Sequence, residues 1–349
     1  MGLVNLREML SDADTQRYAV GAFNVVNLES LQAILEAAVE KRSPVILNIA
    51  EVHFKYIDLE SISPVIQRAA EQVPVPVALH LDHGIHFETI VRALRCGFTS
   101  VMFDGSTLPY EENVQATRDV VRMAHAVGVT VEAELGHVGG EEGGTEGAQS
   151  DPALYTDPDQ AADFVKKTGV DALAVAIGSA HGLYKRKPKL DFERLVQIKD
   201  ATGIPLVLHG GSGIPNEDFR KAIELGICKI NVFTEMSQSA TRQIKDKLQK
   251  DPDFFSFPDL MLMAREAIKE TVMEKMDIFG SSTICQAPNA FCQTCGACVL
   301  ANLDNPQESF SSETCKSCDS SKVDISQEEI TKLVSEVLRR LASEKKVAG

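Results

Sequence analysis

Positive charge is scarce in this chain. Its 349 residues carry 35 Lys and Arg against 50 Asp and Glu, a net charge of −15. That balance excludes nucleic acid and anionic membranes as expected partners, because both demand a basic surface. Long apolar runs are also lacking. No stretch approaches the roughly 20 residues that span a bilayer, and MGLVNLREML has no apolar signal-peptide core. The expectation is a cytoplasmic protein. Cysteine is nearly missing from the first four-fifths, where Cys96 and Cys228 stand alone. The first apolar run is not followed by a Gly-rich dinucleotide turn, which argues against a doubly wound open sheet. An anionic substrate would need a local positive device, such as a metal or oriented backbone amides.

What is present is a regular alternation. Short apolar runs recur at Tyr18–Asn24, Pro44–Ala50, Val75–Asp82, Phe98–Asp104, Val129–Leu135, Asp171–Gly178, Ile204–His209 and Ile227–Val232. Amphipathic stretches such as Leu28–Lys41 and Glu111–Ala126 lie between them. Strand–helix alternation predicts a parallel sheet covered by helices, and eight repeats predict a closed (β/α)8 barrel, the TIM barrel. The hydrophobic content of 44% is enough for such a core.

Strand parity then sorts the side chains, since alternate residues face opposite ways. Val77, Leu79 and Leu81 share one face of the third run, with His80 and Asp82 on the other. Glu132 and Glu134 share a face in the fifth run, as do Met102 and Asp104 in the fourth and Lys229 and Asn231 in the eighth. The aliphatic faces should meet the helices, so the polar residues should point into the barrel. Three histidines stand at or just past strand ends: His83 in HLDHG, His181 in GSAHG and His209 in LHGGSG. Barrel enzymes place their chemistry at the C-terminal strand ends. Three imidazoles suit zinc and leave a coordination position open. Asp82, Asp104, Glu134 and Glu142 are the acidic groups expected nearby to move protons. His80, deeper in its strand, reads as a satisfied core histidine, His86 as loop surface, and Lys229 as an ion-paired core residue.

Two further loops carry signals. Gly210, Gly211, Ser212 and Gly213 follow the seventh run, and Asn231, Val232, Phe233 and Thr234 close the eighth. Barrels often bind phosphate at these two loops, where glycine lets backbone N–H groups approach and a helix start adds partial positive charge. The segment Gly136–Gly147, GHVGGEEGGTEG, has the composition of a lid that would carry Glu142.

Residues 1 to about 280 resemble the class II, metal-dependent ketose-bisphosphate aldolases. The matching segments are YAVGAFNVVN, HLDHG, SVMFDGS, VEAELGHVGGEE, AVAIGSAHGLY, LVLHGGSG and KINVFTE, in the family's order. The resemblance implies a TIM barrel that cleaves a ketose bisphosphate, fructose 1,6-bisphosphate first, to dihydroxyacetone phosphate and glyceraldehyde 3-phosphate. Tagatose bisphosphate and a phosphorylated keto acid are the alternatives. It implies that His83, His181 and His209 hold a catalytic zinc, with Asp82 the proton donor and acceptor at the C4 hydroxyl. Asp104 and Glu134 match positions for a second cation, divalent or monovalent, and Glu142 matches the base that moves the triose-phosphate proton. Asn24, Gly182, Gly210, Gly211, Ser212 and Asn231 to Thr234 match substrate contacts. The family implies a homodimer or homotetramer. One departure is Ala50, followed by Glu51, where many relatives carry Ser or Thr after PVILNI. A metallohydrolase lacks a second ligand pair here, and an inert barrel scaffold would predict lost ligands.

The C-terminal part has a different character. Six cysteines crowd into it, and the boundary is placed between residues 284 and 285. Residues 285–321 form a Cys-rich linker in which Cys292, Cys295, Cys298, Cys315 and Cys318 have C-x-x-C spacings suited to structural zinc or to an iron–sulfur cluster. Residues 322–349 then read as an amphipathic helical tail. Ser326 and Glu329 make a capping box, flanked by Ile325 and Ile330 as a hydrophobic staple. Ile330, Leu333, Val334, Val337, Leu338 and Leu341 form one apolar stripe. The tail resembles the short helices that load enzymes into bacterial microcompartments, so a shell protein is the sharper expected partner. Packing on the chain's own barrel or another subunit is the plainer one.

Overall fold

The computed structural model describes residues 3–140, 151–182, 184 and 187–286. Eight parallel strands close into a barrel in sequence order. They are β1 (Val20–Asn24), β2 (Val45–Ala50), β3 (Val77–Gly84), β4 (Ser100–Phe103), β5 (Thr130–Leu135), β6 (Ala172–Val175), β7 (Leu206–Leu208) and β8 (Ile227–Val232). The helices are α1 (Leu6–Gln16), α2 (Leu28–Lys41), α3 (Leu59–Glu71), α4 (Phe87–Arg95), α5 (Tyr110–His125), α6 (Pro158–Thr168), α7 (Phe192–Thr202), α8 (Asn216–Glu224), α9 (Thr234–Lys250) and α10 (Phe257–Ile278). The expected (β/α)8 architecture holds. Several strands are shorter than their apolar runs. Ala176 and Ile177 are buried beyond the end of β6 without sheet pairing. Among the described residues no helix is long and apolar enough to cross a membrane.

Parity sorts the core as expected. Val77, Leu79, Leu81, Val101, Val131, Leu173 and Ile230 pack in the cluster shared with the helices. A second cluster holds inward residues Ala22, Ile46, Ala78, Met102, Ala172, Ala174, Val207 and Cys228 together with Leu6, Met9, Leu10 and Ala13 of α1. Helix α1 therefore plugs the N-terminal end of the barrel. Asn5 accepts from the Arg7 amide at its start, and Arg17 in left-handed conformation ends it. With that end sealed, the other end is left for the site.

Above this plug lies a polar layer. The Lys229 ammonium donates to Glu132 Oε2 at 2.7 Å, with both side chains fully buried. His80 Nδ1 lies 2.8 Å from Ser100 Oγ, and its Nε2 lies 3.3 Å from Lys229 Nζ. Burial and the Lys229 charge push the His80 pKa down to about 3, so it is a neutral, hydrogen-bonded core histidine. His86 stands at the start of α4 with its side chain 68% exposed. Cys285 is buried in the barrel core, its N–H donating to Arg42 O at 3.2 Å. The cysteines from Cys292 onward and the amphipathic tail lie outside the described residues, as does Glu142.

Candidate metal centre and phosphate cleft

Strand β3 bends at its end. Its register against β4 shifts between Leu81 and Gly84, and His83 takes a left-handed φ of 46°. A non-glycine residue held there stores strain, which is typical of a site that needs one side chain aimed in one direction. Gly84 tolerates no side chain, because an added Cβ would fall 2.8 Å from Met102 O.

The three histidines meet at the C-terminal mouth. One nitrogen from each of His83, His181 and His209 lies within 4.8 Å of the others. His83 Nδ1 donates to Asp104 Oδ2 at 2.7 Å, and His209 Nε2 donates to Glu132 Oε1 at 2.9 Å. Those bonds fix both tautomers and turn His83 Nε2 toward His209 Nδ1, 2.9 Å apart. With both rings neutral their lone pairs would face each other, so a proton on His83 Nε2 or a metal cation must stand between them. His181 Nε2 is buried without a partner, and so is Asp82 Oδ2. The donor set fits a zinc ion bound by His83, His181 and His209, with carboxylates behind two of the ligands.

The carboxylates differ in state. Burial alone would raise the Asp82 pKa, but His83, Lys229 and His209 hold it well below the ordinary range. Asp82 Oδ1 accepts from Asn231 Nδ2 at 2.9 Å, leaving Oδ2 for a proton. Asp104 is likewise held low against burial, by its bond to His83. Burial and the Asp104 charge push Glu134 up to about 8. Its Oε1 accepts from the Val138 amide at 3.0 Å, and its Oε2 accepts no hydrogen bond but lies 4.0 Å from His83 Nδ1. His83, Asp104 and Glu134 form a second group with ligand atoms within 4.8 Å. A dication there would draw Glu134 back to its anion. Burial would lower the His83 pKa, but Asp82, Asp104 and Glu134 keep it well above the ordinary value. Burial lowers His181 and His209.

Beside this centre is a cleft lined by His181, Gly182, Gly210, Gly211, Ser212, Asn231, Phe233 and Thr234. The two loops expected to bind phosphate thus share one wall. Helix α9 opens there at Thr234. The Gly211 N–H donates to Asn231 O at 3.2 Å and so joins the two loops. Gly211 is also needed for close packing, since a Cβ would sit 2.7 Å from that same oxygen. The Val232 side chain is buried against the helices, so only its backbone can face a ligand. Asn24 lies fully buried at the end of β1.

Two residues near the site are given no role in it by the sequence reading. Glu132 holds both His209 and Lys229, and its inward parity was the available signal. His53 sits on a short 3-10 turn, Glu51–Lys55, where no periodicity points to it.

Comparison with known proteins agrees with this geometry. The model of the family "Fructose-bisphosphate aldolase class-II" matches residues 4–283. A fructose-bisphosphate aldolase of Geobacillus stearothermophilus is 49% identical over 285 residues, 81% of this chain and 98% of that protein. A probable fructose-bisphosphate aldolase of Bacillus subtilis is 48% identical, covering 81% and 99%. Among solved structures, the YdjI aldolase from Escherichia coli K12 superposes with a TM-score of 0.72 at 40% identity, covering 80% and 98%. Residues 284–349 lie beyond the family match.

Proposed function

Given that the chain belongs to the class II fructose-bisphosphate aldolase family, we propose that it reversibly cleaves fructose 1,6-bisphosphate to dihydroxyacetone phosphate and glyceraldehyde 3-phosphate. The observation that carries the reading is the convergence of three histidine nitrogens beside the unpartnered oxygen of Asp82. The family is zinc-dependent, and His83, His181 and His209 would hold the ion. Bound zinc supplies Lewis acidity at the ketose carbonyl and its neighbouring hydroxyl. Asp82, ionised and steadied by Asn231, takes the C4 hydroxyl proton in cleavage and returns it in condensation. The cleft from Gly182 to Thr234 takes the triose phosphate on backbone amides and the start of α9.

The reading extends to groups with less support. Asp104 and Glu134 would hold a second cation, and Glu142 would move the triose-phosphate proton. The chain would act as a homodimer or homotetramer in the cytoplasm. Cys292, Cys295, Cys298, Cys315 and Cys318 would bind zinc or an iron–sulfur cluster. The terminal helix would dock on a microcompartment shell.

The test is coupled detection of dihydroxyacetone phosphate from fructose and tagatose bisphosphates, with and without chelator. Fructose 1,6-bisphosphate should be cleaved faster, chelator should abolish cleavage, and zinc should restore it. Full activity in metal-free protein would overturn the reading, and preference for the tagatose epimer would overturn the sugar.

A further inference from the structure

The turn after β2 emerges beside the acid–base carboxylate, since Ala50 lies opposite Asp82 in the β2–β3 register. Within that turn Val52 is half exposed, yet His53 is only 2% exposed. The His53 ring lies 4.5 Å from the Phe233 ring, tilted by 55°. Its Nδ1 is 3.5 Å from Asn24 Nδ2. With the Asn24 amide nitrogen donating across that distance, Nδ1 accepts and the ring proton is assigned to Nε2. Phe233 in turn lines the cleft with Gly211, Ser212 and Thr234.

The turn is fastened from its other side. Glu51 accepts from the Ile85 amide at 2.7 Å, the Thr89 hydroxyl at 3.0 Å and the His86 ring at 2.5 Å. This ties the turn to the start of α4 and fixes the place of His53 beside Phe233. Burial pushes its pKa down to about 4, against the opposing charge of Asp82. A neutral imidazole adds no further cation beside Asp82, while still offering one N–H.

We propose that His53 is a specificity-determining contact for the triose half of the substrate, its Nε2–H donating to a phosphate oxygen held in the cleft that Phe233 borders. The proposal rests on the aldolase reading. It assigns a role to a residue that is neither a metal ligand nor the acid–base group.

The experiment measures binding of dihydroxyacetone phosphate to the full-length, zinc-loaded protein by titration calorimetry, with competition by inorganic phosphate as a second probe. His53→Ala should bind both about tenfold more weakly at unchanged zinc content. His53→Gln, which keeps a side-chain N–H, should recover at least half of that loss on a logarithmic scale. Unchanged affinity in His53→Ala would overturn the proposal. So would equal losses in both variants, which mark a packing role. If His53→Ala does not fold, His53→Gln and His53→Asn decide: affinity within threefold of the unmodified protein supports the contact, and a tenfold loss in both overturns it. Binding is read without turnover, so failure to cleave fructose 1,6-bisphosphate would sink the sugar assignment and leave this result standing.

Discussion

At the scale of single residues, the site depends on groups that never touch substrate. Glu132 is fully buried and divides its oxygens between His209 Nε2 and Lys229 Nζ. Burial opposes its charge, but Lys229 and His209 bring its pKa down to about 2. It therefore stays anionic and holds the His209 proton on Nε2, so that Nδ1 presents a lone pair to a metal. Glu132→Gln should weaken zinc affinity by roughly 10–100-fold, the usual cost of losing a carboxylate behind a metal-bound histidine. Chelator competition would measure this, and saturating zinc should restore most of the turnover. A turnover defect that excess zinc leaves untouched would assign Glu132 to the chemistry instead. Much of this was legible in the sequence, because a period of two puts Glu132, Lys229 and His80 on inward faces whatever the loops do. The Lys229 ion pair was legible too, but the bond from Glu132 to His209 was not. Parity places side chains on a face but does not say which of several inward carboxylates meets which histidine. His53 was illegible for a different reason, since a five-residue 3-10 turn has no repeat to expose its buried side.

At the scale of elements, the phosphate cleft is held by a helix behind it. Lys275, on α10, the last α-helix among the described residues, pairs with Glu235 Oε2 at 2.5 Å, its side chain 6% exposed. Glu235 lies in the first turn of α9, and its Oε1 accepts the Gly213 amide at 2.6 Å. Its own N–H donates to Ser212 Oγ at 3.2 Å. One carboxylate thus joins the loop after β7 to the start of α9 and to α10. Alternation of strands and helices predicts the eight repeats but not this tie, which links residues far apart in sequence. Lys275→Met should leave Glu235 without its cation and loosen both loops. KM for the bisphosphate should rise by roughly tenfold with kcat nearly unchanged, about the effect of one lost charge-assisted contact. Lys269→Met is the control. Lys269 pairs with Glu40 at 2.7 Å on the outer α2–α10 contact, away from the cleft, and its loss should not change KM. Equal KM changes in the two variants would mean that the effect is one of general stability.

At the scale of the whole molecule, catalysis and the C-terminal extension are separable by the logic of the core. Helix α1 seals the bottom of the barrel, and α10 packs against α2 and α9. The chain is tied back to the end of α2 by Thr283 N–H to Lys41 O at 2.7 Å and by Cys285 N–H to Arg42 O at 3.2 Å. Every described group of the site lies before this closure. The sequence after it has its own cap signals and its own apolar stripe from Ile330 to Leu341, with charges opposite. A helix of that length is marginal alone and gains stability by burying its stripe on another surface. A partner protein is the expected surface, as the tail's resemblance to microcompartment-loading helices implies. Deleting residues 322–349 should leave kcat and KM within about twofold, because every described group of the site lies within residues 3–286. The same deletion should abolish co-sedimentation with a shell or partner protein, and the tail fused to an unrelated fluorescent protein should restore it. Loss of turnover or dissociation of the oligomer on deletion would instead assign the stripe to the enzyme's own assembly.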